Sequence, residues 1–171
     1  MPRDLVYESF LGQQLRDGLA LSRESDLVEL IPIGHDLPTR YLARFRCKGL
    51  VKPGSSVEVA NRFEVGIRFP PDYLRRTNPT EVLTWLGPRE VFHPNISDLL
   101  PVICVGRLAP GTSLVDLVYQ VYEVISYQKV TMREDDALNG DACAWARQNQ
   151  DRFPVDRRPL RLRRRTDGGP S

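Results

Sequence analysis

The residues best suited to chemistry lie in one stretch, HPNISDLLPVIC, which runs from His93 to Cys104. A thiol is both a nucleophile and a good leaving group, which suits a side chain that takes up an acyl group and passes it on. A free thiol has a pKa near ~8.5, so a few per cent is thiolate at neutral pH without special activation. Cys104 is therefore the candidate nucleophile. The alternative is a buried structural thiol, because cysteine is often buried.

Asn95 and His93 are the polar residues of the His-Pro-Asn tripeptide that precedes Cys104 in the sequence. The amide of Asn95 could donate a hydrogen bond to the oxyanion that forms when an amine attacks a thioester. A purely structural role, in which Asn95 braces the loop, is the alternative. His93 is expected to hydrogen-bond the backbone and hold the segment in place, and Pro94 restricts the backbone between them.

The other cysteines and the second histidine show no pattern typical of a catalytic or metal site. Cys47 lies in an alternating stretch and Cys143 in an alanine-rich one, so both are expected to be structural. No CxxC pair or cysteine and histidine cluster has zinc spacing, and His35 is isolated. A cysteine hydrolase would need a base beside the thiol and an oxyanion hole, which two isolated histidines make hard to build.

The elements that must position these residues are predicted from periodicity. An amphipathic helix is expected from Asp4 to about Ser22. Four short β-rich runs follow, most of them alternating apolar and polar residues, and Pro32 places the first strand at an edge. Their predicted ranges are Leu27–Ile33, Tyr41–Cys47, Arg62–Phe69 and Val82–Leu86.

The chain from Phe92 to Pro110 has no sustained period and is expected to be irregular. Thr112 or Ser113 can cap a helix that runs to about Tyr127. A last helix is predicted over Asp135–Gln150, with a possible start near Asn139. One helix, a four-stranded meander, an irregular segment and two helices form an α+β plan, with helices at the ends of an antiparallel sheet.

An ordered series of landmarks from Phe69 onward resembles the ubiquitin-conjugating enzyme family. The resemblance covers about residues 27–153, and its most specific part is His-Pro-Asn followed by cysteine. Ala109-Pro110-Gly111 stands where the family usually has Trp-Ser-Pro, and a leucine follows Tyr73 where a proline is usual, so the chain resembles a divergent branch. The matching residues are Phe69-Pro70, Asp72-Tyr73, Pro79, Val82–Leu86, His93-Pro94-Asn95, Ile103-Cys104 and Asp135-Asp136-Ala137-Leu138-Asn139.

The resemblance implies the ubiquitin-conjugating fold and an acyltransferase. Cys104 would carry a ubiquitin-like modifier as a thioester, with Asn95 and Asp136 as further catalytic residues. Asp136 would orient or desolvate the incoming lysine. The alternative is that its carboxylate only provides favourable charge at a helix start. Asp135 could take either part. The partners implied are an activating enzyme, the modifier and a protein substrate, with no cofactor and no metal. The competing function is a non-catalytic variant that only binds a modifier or partner, although such variants typically lack the cysteine.

Composition limits the remaining possibilities. The 171 residues carry a formal charge of only +2, which does not indicate a nucleic-acid-binding polycation, and no apolar run is long enough for a membrane span or a secretory signal. An odd number of cysteines favours free thiols in a reducing compartment, so a cytoplasmic protein is expected. Twenty-one arginines against three lysines suggest a GC-rich, bacterial genome.

Residues 154–171 carry six arginines against two aspartates and show no periodicity. They are predicted to form a basic, flexible tail outside a domain of residues 1–153. Three interpretations of this basic tail stay open: a solvated end, a docking peptide for a partner, or incidental attraction to nucleic acid. Apart from Val155, its only large apolar residues are Leu160 and Leu162. The tail is therefore expected to contribute little to a core.

Overall fold

The structure is a computed structural model that describes residues 3–162. It begins with helix α1, Leu5–Glu24, whose start is capped by the Asp4 side chain accepting a hydrogen bond from the Tyr7 amide. Gly18 allows the helix to approach its neighbours closely, because a Cβ atom there would lie 2.7 Å from a methyl carbon of Leu114. The predicted N-terminal helix is confirmed, and it packs on the first strand and on a later helix.

An antiparallel sheet of four strands forms the centre of the fold, as predicted. Buried and exposed residues alternate along its strands, which is the pattern expected when one face covers a core. The first strand, which contains Pro32, lies at an edge, also as predicted. The strands, in spatial order, are β1 Val28–Ile33, β2 Arg40–Phe45, β5 Phe63–Arg68 and β6 Leu83–Gly87.

A small hairpin between β2 and β5 was not predicted. It consists of β3, Gly49–Val51, and β4, Glu58–Ala60, which pair antiparallel. Strands of three residues are too short for alternation to be detected in a sequence. The turn-forming residues Lys-Pro-Gly-Ser at 52–55 lie between them. A second unpredicted element is the short helix α2, Pro79–Val82, capped by Asn78.

Two helices follow the irregular segment, as predicted. Helix α3, Leu114–Ile125, is capped by Ser113 and buries a broad apolar face. Helix α4, Gly140–Gln148, is capped by Asn139, and a 3₁₀ turn at Glu134–Asp136 takes the place of the earlier predicted start. No helix among residues 3–162 is long and apolar enough to cross a membrane.

Residues 154–162, which we call the C-terminal segment, lie against the domain. Leu160 is fully buried in the main core, so the expectation that it adds little to a core is wrong. The backbone of Leu162 donates to the carbonyl of Glu24 at 2.9 Å, and Asp156 is buried and paired with Arg158. The packed chain thus continues beyond Phe153, because one leucine finds a core site that composition does not reveal. The rest of the predicted tail, residues 163–171, lies outside the described residues.

Candidate active site

Cys104 lies in an irregular stretch that we call the active-site segment, residues 92–106. A bridge between Ile96 and Ile103 folds this stretch back on itself. The amide of Cys104 donates to the carbonyl of Asn95 at 2.8 Å, which places the two residues side by side. Of the three free cysteines, Cys104 is exposed, whereas Cys47 and Cys143 are buried. The only thiol open to a reaction partner is therefore the one that follows His-Pro-Asn.

Asn95 connects the Cys104 backbone to another part of the chain. Its side chain is 4% exposed; Nδ2 donates to the Cys104 carbonyl at 3.1 Å, and Oδ1 accepts from the Thr131 amide at 2.8 Å. A side-chain amide nitrogen carries two hydrogens, so one donor remains after the bond to Cys104. The two hydrogen bonds therefore fit the bracing role directly.

His93 supports the turn and is unsuited to act as a base. Its Nδ1 accepts from the Asn95 amide at 2.9 Å, and its ring packs on Tyr127 with centroids 4.3 Å apart. Burial lowers the pKa of His93 to about 3, with a smaller opposing effect of the Val124 carbonyl. The imidazole is thus neutral at physiological pH and holds protons too weakly for general-base work.

His35, the second histidine, lies in the exposed turn between β1 and β2. No hydrogen bond among the described residues joins it to the active-site segment. Cysteine hydrolysis assisted by a histidine base is therefore not supported by the described part of the chain.

The acidic residues before α4 lie beside the His-Pro-Asn turn. The Pro94 carbonyl accepts from the amides of Leu138 and Asn139, at 2.8 and 3.3 Å, which attaches the 3₁₀ turn to the active-site segment. Asp135 and Asp136 are both exposed on that turn. Their carboxylates form ion pairs with Arg133 at 2.9 and 3.4 Å. The structure thus brings the predicted acidic residues to the same region as Cys104, with their charge partly balanced by one guanidinium.

Lys129 and Thr131 belong to this site and were not singled out in the sequence. The Thr131 amide holds Asn95, and the Lys129 ammonium donates to the carbonyl of Val105, the residue after Cys104. Both residues follow α3 in a stretch without periodicity. No local pattern could have connected them to Cys104, since the contacts join positions that are far apart in the chain.

The arrangement offers one exposed thiol, a braced backbone and nearby carboxylates. No group of three or more histidine, cysteine, aspartate or glutamate residues able to hold a metal ion occurs among residues 3–162. An exposed thiol can accept an acyl group on sulfur and release it to an amine.

Two solved structures are similar to this chain over most of its length. The E2 domain of a ubiquitin conjugating enzyme from Toxoplasma gondii aligns with 86% of this chain and 91% of its own, at 17% identity and a TM-score of 0.56. A protein described as a ubiquitin conjugating enzyme from Trypanosoma cruzi aligns with 90% of this chain and 95% of its own, at 18% identity and a TM-score of 0.54. This chain has the ubiquitin-conjugating fold.

The fold predicted from the sequence is therefore confirmed. No family model matches the chain, and no curated protein does either. Because the identities to the solved structures are low, their likeness defines the architecture, while the assignment of chemistry depends on the residues of this chain.

Proposed function

We propose that the protein is a ubiquitin-conjugating-type acyltransferase that carries a ubiquitin-like modifier on Cys104. The observation that carries the proposal is the position of Cys104: the one exposed cysteine among three, on a backbone that Asn95 braces, at the place where the sequence resembles the family's active site. A non-catalytic binding variant has no need for an exposed thiol at this position.

The reaction would proceed in two acyl transfers. In the first, the Cys104 thiolate attacks the thioester carbonyl carbon of the modifier on its activating enzyme; a new carbon–sulfur bond forms and the activating enzyme's thiolate leaves. In the second, a lysine amine attacks the Cys104 thioester, an amide bond forms, and Cys104 leaves as thiolate while the amine loses its proton. The activating enzyme consumes the ATP, so neither step needs a cofactor of this chain.

Asn95 and the acidic turn have distinct proposed roles in the second step. The free Nδ2 hydrogen of Asn95 would stabilise the oxyanion that forms on the thioester carbonyl. Asp136 would attract and orient the incoming lysine; its ion pair with Arg133 is exposed and therefore weak enough to exchange. The partners would be an activating enzyme, a modifier and a protein with an accessible lysine.

The test is a charging assay on a non-reducing gel, with ATP and a panel of ubiquitin-like modifiers, each with its activating enzyme. We expect an adduct that DTT removes from the wild-type protein and that Cys104→Ala does not form. Cys104→Ser should give an adduct that DTT does not remove, because an oxyester replaces the thioester. Cys143→Ala, which changes a buried thiol, is the matched control and should still charge. A DTT-sensitive adduct on Cys104→Ala would overturn the assignment.

A further inference from the structure

The backbone around Cys104 is held by side chains at two consecutive carbonyl groups. Asn95 binds the carbonyl of Cys104 itself, and the Lys129 ammonium binds the carbonyl of Val105. Gly106 follows with φ of +94°, a left-handed conformation that glycine adopts without strain. A Cβ atom at Gly106 would lie 2.8 Å from Lys129 Nζ, so the ammonium sits directly against this turn.

The position of Lys129 is set by a tight turn at the end of α3. Tyr127 has φ of +60°, which is unusual for a residue with a large side chain. The amides of Gln128 and Lys129 both donate to the Glu123 carbonyl, at 2.9 and 3.0 Å, and close the turn. The buried Tyr127 ring packs on His93 and its hydroxyl donates to the Phe92 carbonyl, so the turn is fixed to the active-site segment itself.

The turn and the residues that follow it hold the Cys104 backbone from outside the active-site segment. Lys129 reaches Val105 directly, and Thr131, two residues later, holds the Asn95 side chain that reaches Cys104. We infer that Lys129 is a positioning residue for Cys104: its ammonium fixes the peptide after the cysteine and keeps a positive charge next to the thiol-bearing backbone. This inference deepens the proposed acyltransferase function and concerns the same site.

Lysine is chemically distinctive at this position. The chain has only three lysines, and an amine beside a thioester could itself become an acceptor of the acyl group. An ammonium that donates to a carbonyl has no free lone pair and therefore does not attack. If Lys129 were instead an internal acceptor, the modifier would be recovered on Lys129 itself.

Three variants separate positioning from the alternatives. Lys129→Met removes the charge and the donor at similar length, and Lys129→Arg keeps both but cannot accept an acyl group. Lys52→Met is the matched control, because it removes the same charge from a different contact. The Lys52 ammonium lies over the Phe92 ring, 5.2 Å from its centroid. Each variant is measured in three ways: alkylation of Cys104 by iodoacetamide, single-turnover discharge of the charged protein to free lysine, and melting temperature.

We expect Lys129→Met to slow discharge about fivefold, the effect of losing one partly exposed charged hydrogen bond. Its alkylation rate should also change, by about twofold, because the peptide after the thiol loses the hydrogen bond that holds it. Lys129→Arg and Lys52→Met should stay close to the wild type in both assays and in melting temperature. Lys129→Met should melt slightly lower, because the Val105 carbonyl loses its partner.

Three results would overturn the inference: unchanged rates in Lys129→Met, equal losses in Lys129→Met and Lys129→Arg, or recovery of the modifier chiefly on Lys129 of the wild-type protein. Failure of the wild type to take up any modifier would instead count against the proposed function. The alkylation rates would still test Lys129 in that case, because they need no modifier.

Discussion

The active-site segment and the C-terminal segment are each held in place by a buried polar side chain, and the two side chains differ in charge. Neither belongs to the main sheet or to an α-helix, so some backbone groups of both find their partners in side chains. In the active-site segment the buried anchor is the neutral amide of Asn95. In the C-terminal segment it is the carboxylate of Asp156, which accepts from the Lys48 amide at 3.0 Å and from two Arg158 nitrogens at 2.9 and 2.6 Å.

The difference in charge corresponds to what each segment must do. Hydrogen bonds from Arg158 are the main cause that holds the pKa of Asp156 at about 2, so this anchor is ionised throughout the physiological range. A fixed negative charge in place of Asn95 would oppose the thiolate and the oxyanion proposed at Cys104. A neutral amide braces the chain without that repulsion. A segment that only packs against the domain can use the stronger, charge-assisted bonds.

The largest effect on the reaction should come from changing the neutral anchor. Asn95→Ala removes the proposed oxyanion donor, and we expect discharge to lysine to slow about a hundredfold. Charging should slow less, while the melting temperature falls because the Thr131 amide and the Cys104 carbonyl lose their partner.

Asn95→Asp sharpens this test. It keeps an acceptor for the Thr131 amide but introduces a negative charge, which would oppose the oxyanion proposed at Cys104. Rates are read from pre-charged protein mixed with excess lysine. Equal losses in charging and discharge, in step with the loss of stability, would assign Asn95 a bracing role alone.

The C-terminal segment should instead affect stability without affecting chemistry. Leu160→Ala leaves a cavity in the main core, and we expect the free energy of unfolding to fall by about 3 kcal/mol. Leu162→Ala is the matched control, because Leu162 is 50% exposed and its truncation should cost about 0.5 kcal/mol or less. Urea unfolding measures both. Similar small losses in the two variants would mean that the segment does not contribute to the core.

The two segments should also contribute differently to the loss of stability in acid. This is the smallest of the expected effects. The native pKa of His93 is about 3, whereas an unfolded histidine has a pKa of about 6.5. Only the unfolded chain gains this proton as the pH falls below about 6.5, so stability is complete above that pH and is lost toward pH 3. Between pH 6.5 and 5 the loss should be about 2 kcal/mol.

Asp156 contributes in a separate window. Its native pKa, about 2, lies below the unfolded value of about 3.9, so its contribution is present above pH ~3.9 and is lost only below it. Urea unfolding at pH 7, 6 and 5 should therefore show a slope that His93→Gln reduces and Asp156→Asn does not. Parallel slopes for the wild type and His93→Gln would contradict the assignment to the buried imidazole.

The sequence by itself determined the parts of this protein that depend on neighbours along the chain. Alternation in the stretches around Tyr41 and Arg62 predicted β2 and β5, because successive side chains in a strand point to opposite faces. Thr112 or Ser113, and Asp135 or a position near Asn139, were the predicted helix starts. The structure selects Ser113 and Asn139, whose side chains accept from backbone amides three residues later. The resemblance around His93 and Cys104 likewise depended on local order.

Only the tertiary structure decided which distant residues complete the site and the core. Lys129 and Thr131 reach the active-site segment because of the turn at Tyr127, and nothing in their own neighbourhood indicates that contact. Leu160 looked like part of a solvated basic stretch, yet it fills a core position. In each case the free energy comes from a contact between residues far apart in the chain, which exists only in a fold where the sheet and α3 fix the position of both partners.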